Sequence, residues 1–217
     1  MGTGFSKIEV EGSSLRCGAS ARLRSVAVKA KDASLTGFEF MEGIPGNMGG
    51  GLRMNAGALG SSVFELVDSV RVMDVHGEVE EREASSIPVE YRHCALFKTH
   101  VAIAATLRGR AADRASIAQR MKECSEKRWS SQPQAPSAGC IFKNSVTIPS
   151  GKLVQELGLK GTRAGGAVIS DVHGNFIVND RNATARDVIE LIELVKETAR
   201  QERGLELQTE VQIVGED

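Results

Sequence analysis

The sequence predicts an α+β fold in two pieces, and three observations lead there. Apolar residues repeat at helical spacing in two long stretches, first Ile117, Ala118 and Met121, then Val188, Leu191, Ile192, Val195 and Ala199. Strand-like patterns stand apart from them at residues 67–75, 101–107 and 205–213. The chain has 217 residues, a length for one or two domains. The short link at residues 108–114 joins a strand to a helix without a long flexible linker.

Taken in order, residues 8–10 and 15–18 read as short strands separated by Gly12. A helix follows, with Ser20 as its N-cap and Leu23, Val26, Ala27 and Ala30 on its inner face. Gly37 ends that region, and residues 38–41 lead into a glycine-rich segment. Residues 67–75 form a strand, His76-Gly77 a hairpin turn, and Val79 opens a glutamate-rich, exposed return strand. Residues 101–107 are an apolar strand that closes the first piece. A helix over 111–128 turns Ile117, Ala118 and Met121 inward and leaves Arg114, Arg120, Lys122 and Lys127 solvated.

A loop at 132–137 carries Pro133 and Pro136. Ser150 caps a short helix that buries Leu153, Val154 and Leu157 and stops at Gly158. A glycine-broken loop at 160–166 precedes a hairpin of 168–170 with 175–179, in whose turn His173 has no chemical role. The last helix opens on Thr184 and Asp187, spaced as a capping box, and ends at Gly204. Alternation then places Leu205, Leu207, Val211 and Ile213 on one face of a terminal strand, with Glu206, Gln208, Glu210 and Gln212 on the other.

Composition excludes several classes of function. The net charge is −1, so no general field draws in nucleic acid or an anionic membrane. No apolar run approaches a membrane span, and no secretory signal opens the chain. Aromatic residues make up 4%, with Tyr91 and Trp129 each alone of their kind, which argues against a base-stacking surface. Cys17, Cys94, Cys124 and Cys140 show neither a C-x-x-C pair nor zinc spacing, so no metal site is expected and free thiols in a reducing cytoplasm are the simplest reading.

The densest signal is GIPGNMGGGLRMNAGALG at residues 43–60. Glycine permits positive φ and close backbone approach. Such a segment either aims several N–H groups at an anion or is a tight turn packed between sheets. It is neither the G-x-G-x-x-G dinucleotide fingerprint nor a P-loop, since no Gly-Lys-Ser/Thr follows.

Four stretches in order, GIPGNMGG with MNAG, EYRHC at 90–94, PSAGCIFKN at 136–144 and LQTEVQIVGE at 207–216, resemble the motifs of the UDP-N-acetylenolpyruvoylglucosamine reductase family. The resemblance runs from about Ile8 to the C-terminus. It implies that residues 1–109 are the latter part of a PCMH-type FAD-binding domain and that 110–217 are an α+β substrate-binding domain. It also implies that relatives carry a further N-terminal subdomain, with another glycine loop for the FAD pyrophosphate, which is not matched here.

The resemblance assigns FAD contacts to Gly43, Ile44, Pro45, Gly46, Gly49, Gly50, Asn55, Ala56 and Gly57. NADPH is the hydride donor it implies, and UDP-N-acetylglucosamine enolpyruvate the small-molecule substrate, in peptidoglycan precursor synthesis. Arg92 takes the place of the arginine that stabilises negative charge on the reacting substrate. Cys140 stands where many relatives carry a serine proton donor, and a thiol, of ordinary pKa about 8.5, is an adequate acid. Glu210 matches the glutamate of the terminal strand that reaches the active site. Tyr91, Arg128, Lys143 and Asn144 are the substrate-binding positions. The chain is expected to act as a monomer. The alternative is a flavin-free remnant that binds the UDP-sugar or a partner; retention of Arg92, Cys140, Asn144 and Glu210 together favours the enzyme.

Overall fold

The computed structural model describes residues 2–215, leaving out Met1, Asp217 and Glu216, the last residue of the LQTEVQIVGE stretch. The protein is α+β and divides into two units, Met1–Arg128 and Trp129–Asp217. The division lies within the last turns of a helix, later than the 109/110 boundary read from sequence. The cause is burial: Ile117 and Met121 of that helix belong to the first core.

In the first unit, β1 (Ile8–Glu11) and β2 (Ser14–Gly18) form a hairpin turned at Gly12, which sits at φ +60°. Helix α1 (Leu23–Asp32) buries Leu23, Val26, Ala27 and Ala30, the face its spacing predicts. Ser20 is not its cap. Arg22 holds that position without a side-chain bond, and the Leu23 amide donates instead to the Gly46 carbonyl at 3.2 Å. Within the glycine segment lies a helix, α2 (Met48–Arg53). Strands β3 (Val67–Met73) and β4 (Val79–Glu83) meet at a turn where Asp74 accepts from the amides of His76 and Glu78 and Gly77 takes φ +87°.

Strand β5 (Val101–Arg108) completes an antiparallel sheet of order β1-β2-β5-β3-β4. A bulge between Ala102 and Ala104 switches the parity of β5, so Ala102, Ala105 and Leu107 all face the core. Helix α3 (Arg114–Ser131) starts later than expected, because Arg110–Ala111 pairs with Leu35–Thr36. Ala118 is exposed, off the buried stripe of Ile117 and Met121. Among its cations, Arg114 meets Asp32 at 2.7 Å, Arg120 meets the buried Glu39 at 3.0 Å and Lys122 meets Glu126 at 3.7 Å.

The second unit is a four-stranded antiparallel sheet with two helices. Its elements are β6 (Ser137–Cys140), α4 (Ser150–Glu156), β7 (Arg163–Ala164), β8 (Ala167–Ile169), β9 (Phe176–Asn179) and α5 (Ala185–Arg203), with strand order β6-β9-β8-β7. The capping box at Thr184 and Asp187 forms as predicted, and Gly204 ends α5 at φ +63°. Leu191, Ile192, Val195 and Ala199 are buried in this unit's own core, with Val188 packed against it. Ser150 does not cap α4. It lies inside the first turn, wholly buried, with Oγ donating to the Lys143 carbonyl at 2.6 Å.

The expected terminal strand is absent. Residues 205–208 run without a ladder, a single bridge joins Thr209 to Phe142, and the chain bends at Glu210. Leu205, Leu207 and Val211 still pack on the core, but Ile213 is 64% exposed, so the alternation stops at Val211. Among the described residues no helix is long and apolar enough to cross a membrane.

Candidate active site

The glycine segment begins with a 3-10 turn, Glu39–Gly43, and then exposes Pro45 and Gly46, the latter at φ +113°. Ile44 packs partly buried against the first core. Asn47 caps α2 by accepting from the Gly50 amide at 3.1 Å. The amides of Met48 and Gly49 donate to Ala21 and Ala19 carbonyls, both at 2.8 Å, and Gly51 donates to Asn47. The amides of Met48, Gly49, Gly50 and Gly51 are therefore committed within the protein. Several of the glycines are packing glycines, most tightly Gly57, where a Cβ would stand 2.5 Å from the Ser61 carbonyl. A Cβ on Gly49 would stand 3.3 Å from Ala19, and one on Gly51 would stand 3.3 Å from Leu23.

The end of the segment meets the EYRHC hairpin. Asn55, at φ +38°, donates from Nδ2 to the Glu90 carbonyl at 3.4 Å and accepts from the Phe64 amide at 3.2 Å. Ala56 donates to the Gly51 carbonyl, and Gly57 pairs with Ser62. Tyr91 and Arg92 form the tip between the paired residues Val89–Glu90 and His93–Cys94. Arg92 adopts φ +56°, rare for a side chain of this size. Its Nη2 donates to the Gly57 carbonyl at 3.2 Å, and its guanidinium carbon lies 5.1 Å from the centre of the half-exposed Tyr91 ring. Asn55, Gly57, Tyr91 and Arg92 are thus brought together. Gly43 lies against the stem of Arg128: a Cβ there would stand 3.3 Å from Arg128 Cδ.

A cleft of about 470 Å³ opens over Asn47, Gly49 and Gly50. Arg53, Lys98 and His100 also line it, and Arg53 is oriented by donating to the Phe97 carbonyl at 3.0 Å. Sequence reasoning passed over Arg53 and Lys98, although Arg53 sits inside the glycine segment.

The second unit holds Cys140, Lys143, Asn144 and Glu210. Gly139, at φ +82°, sits in a bulge between the pairs Ser137–Val178 and Cys140–Phe176, and the bulge sets which way Cys140 leaves β6. The Glu210 amide donates to the Ile141 carbonyl at 2.7 Å, and the Lys143 amide donates to the Gln208 carbonyl at 2.9 Å. Cys140 and Glu210 therefore flank one main-chain hydrogen bond, and both are half-buried. Asn144 Oδ1 accepts from the Ser150 amide at 3.0 Å, which ties this motif to α4.

Asn175 was also passed over. It is 3% exposed, and its side-chain amide bonds both main-chain groups of Phe142. No local pattern signals such a residue. His173 is a half-buried turn histidine whose Nδ1 accepts from the Asn175 amide at 3.1 Å and whose ring packs edge-on against Phe176. The four cysteines form no disulfide, and burial pushes the Cys17 thiol up to about 12. Among the described residues no group of three His, Cys, Asp or Glu side chains could hold a metal ion.

The model of the UDP-N-acetylenolpyruvoylglucosamine reductase C-terminal domain matches residues 132–214. With the fold, it defines the class as a two-unit α+β oxidoreductase. Reductases of that name from Bacillus velezensis and Enterococcus faecalis are 37% and 39% identical, over 99% of this chain and 72% of each relative. The crystal structure of the reductase from Thermus caldophilus superposes with a TM-score of 0.86 at 33% identity, covering 96% of this chain and 74% of that one. The chain belongs to the UDP-N-acetylenolpyruvoylglucosamine reductase family.

Proposed function

We propose that the protein reduces UDP-N-acetylglucosamine enolpyruvate to UDP-N-acetylmuramate with FAD and NADPH, in the cytoplasm and as a monomer, for peptidoglycan precursor synthesis. The observation that carries this reading is the Glu210–Ile141 hydrogen bond, which sets the C-terminal glutamate beside the residue that follows Cys140.

The chain's residues fit a phosphate-bearing flavin. The cleft over Asn47–Gly50 has Arg53 and Lys98 on its walls, and cations of this kind suit a pyrophosphate. The exposed turn at Pro45 and Gly46, with Gly43, Ile44, Gly49, Gly50, Asn55, Ala56 and Gly57, would hold the rest. When bound, FAD supplies the hydride that adds to C3 of the enolpyruvyl group, having received it from NADPH.

The protein's own part is electrostatic and acid–base. Addition at C3 leaves negative charge spread over C2 and the carboxylate. The Arg92 guanidinium, held in place by Gly57, balances that charge. Glu210, set beside Ile141 by its main-chain hydrogen bond, is the second polar group at this end of the site. The Cys140 thiol gives its proton to C2, and the thiolate left behind is reprotonated from water. Tyr91, Arg128, Lys143 and Asn144 bind the nucleotide sugar, the cations Arg128 and Lys143 meeting the diphosphate.

The test is to incubate the purified chain with FAD, remove excess by gel filtration, record the visible spectrum, and then assay with NADPH and the enolpyruvyl substrate. A retained flavin band with substrate-dependent NADPH oxidation supports the proposal. A colourless protein that still binds the UDP-sugar overturns it in favour of a flavin-free binder.

A further inference from the structure

We infer that Asn175 is the positioning residue for Cys140, an inference that rests on Cys140 being the acid of the proposed reaction. Asn175 is 3% exposed, and an amide buried so deeply must have its polar atoms paired. It spends both on one neighbour: Oδ1 accepts from the Phe142 N–H at 2.9 Å, and Nδ2 donates to the Phe142 carbonyl at 2.7 Å. Its own carbonyl accepts from the Ile141 N–H at 2.9 Å. Glu210 supplies the donor for the Ile141 carbonyl. Every main-chain polar group of residues 141 and 142 is thereby fixed, three of the four by Asn175.

Cys140 immediately precedes this clamp. On its other side the bulge at Gly139 turns Cys140 out of β6 opposite Phe176. The clamp fixes the residues that follow, so the direction the bulge gives Cys140 is held from the far side as well. The side-chain amide presents a donor and an acceptor to Phe142 as a neighbouring strand would. Asn175 is held in turn, its N–H donating to His173 Nδ1 at 3.1 Å. An aspartate has the same shape but lacks the donor for the Phe142 carbonyl and sets one oxygen against another. Proton transfer to C2 requires the sulfur within hydrogen-bond reach, so a slackened clamp acts on that step alone.

The test uses Asn175→Asp, with Asn175→Ser as the variant that decides if the aspartate form fails to fold by circular dichroism and melting. In the FAD-loaded protein, reduction of the enolpyruvyl substrate falls about 100-fold while NADPH-driven flavin reduction stays within about twofold of wild type. A second readout needs no cofactor. In a Cys124→Ser background, where Cys17 and Cys94 are buried, the iodoacetamide alkylation rate of Cys140 and its pH midpoint shift with the Asn175 change. Cys140→Ala is measured beside it. If Cys140→Ala reduces substrate normally, the acid assignment falls, and this inference with it. If Cys140→Ala is inactive but the folded Asn175 variant shows wild-type turnover and alkylation, the positioning role alone is overturned.

Discussion

The Arg92 guanidinium donates to the Gly57 carbonyl at 3.2 Å, locking the hairpin tip onto the end of the glycine segment. The backbone beneath it stands at φ +56°, where a non-glycine residue costs roughly 1–2 kcal/mol. A strained residue persists only where its surroundings hold it, here through the bond to Gly57. Arg92→Gly removes the guanidinium and relieves the backbone, so it should be more stable than Arg92→Ala by about 1 kcal/mol in thermal unfolding, with both inactive. Arg92→Lys keeps the charge but not the planar fork, and its turnover should drop about 100-fold. Wild-type turnover by Arg92→Lys would take Arg92 out of the chemistry.

Glu210 bonds through its main chain to Ile141, the residue after Cys140, so side-chain changes at Cys140 or Glu210 leave that bond in place. Cys140→Ala should lower enolpyruvyl reduction by about 100-fold or more and spare NADPH-driven flavin reduction. Cys140→Ser should keep substantial activity. Glu210→Gln should reduce turnover without shifting the melting temperature, and a loss of stability instead would mark Glu210 as structural. Stopped-flow absorbance of the two half-reactions separates these outcomes.

The half-buried His173 gives the second unit a pH dependence. Burial, then the nearby Lys160 charge, hold the imidazole below its ordinary pKa. The unfolded chain binds the proton with a pKa near 6.5 while the folded form resists it, so the unfolded state carries more protons as pH falls. Stability is therefore full above about pH 6.5 and declines below it until the folded pKa is passed. His173→Asn keeps an acceptor for the Asn175 amide but cannot titrate. It should flatten this part of the stability–pH curve in urea unfolding between pH 7.5 and 5. Parallel curves for the two proteins would sink the assignment.

Local signals in the sequence translated directly into structure. Thr184, Asp187 and Gly204 bound α5 as their spacing implies, because each partner lies within a turn. Ser20 and Ser150 failed as caps for one reason: distant groups took over. The first amide of α1 goes to Gly46, and the Ser150 hydroxyl goes to Lys143. The terminal alternation became a bridge between Phe142 and Thr209 because the chain bends at Glu210. At the site, motif residues such as Asn55, Gly57 and Arg92 were legible and do meet. Arg53 and Asn175 were not, since each acts through carbonyls far away in sequence.

The glycine segment separates packing from ligand contact at adjacent residues. A Cβ on Gly49 would stand 3.3 Å from both Cβ and the carbonyl oxygen of Ala19, and that carbonyl already holds the Gly49 amide and gives little, so Gly49→Ala should lower stability with or without flavin. Gly50 is exposed, and a Cβ there would meet only Asn47 Oδ1 at 3.5 Å, an ordinary contact. Because alanine is the better helix residue by roughly 0.5–1 kcal/mol, Gly50→Ala should leave the flavin-free protein as stable as wild type or more so. Its methyl group would nevertheless stand in the cleft between Asn47 and Arg53, where close approach of a phosphate needs bare backbone. The expected result is an undiminished melting temperature together with less FAD retained through gel filtration. Equal retention by Gly50→Ala and wild type would remove Gly50 from the cofactor contacts and shift them to the exposed turn at Pro45 and Gly46.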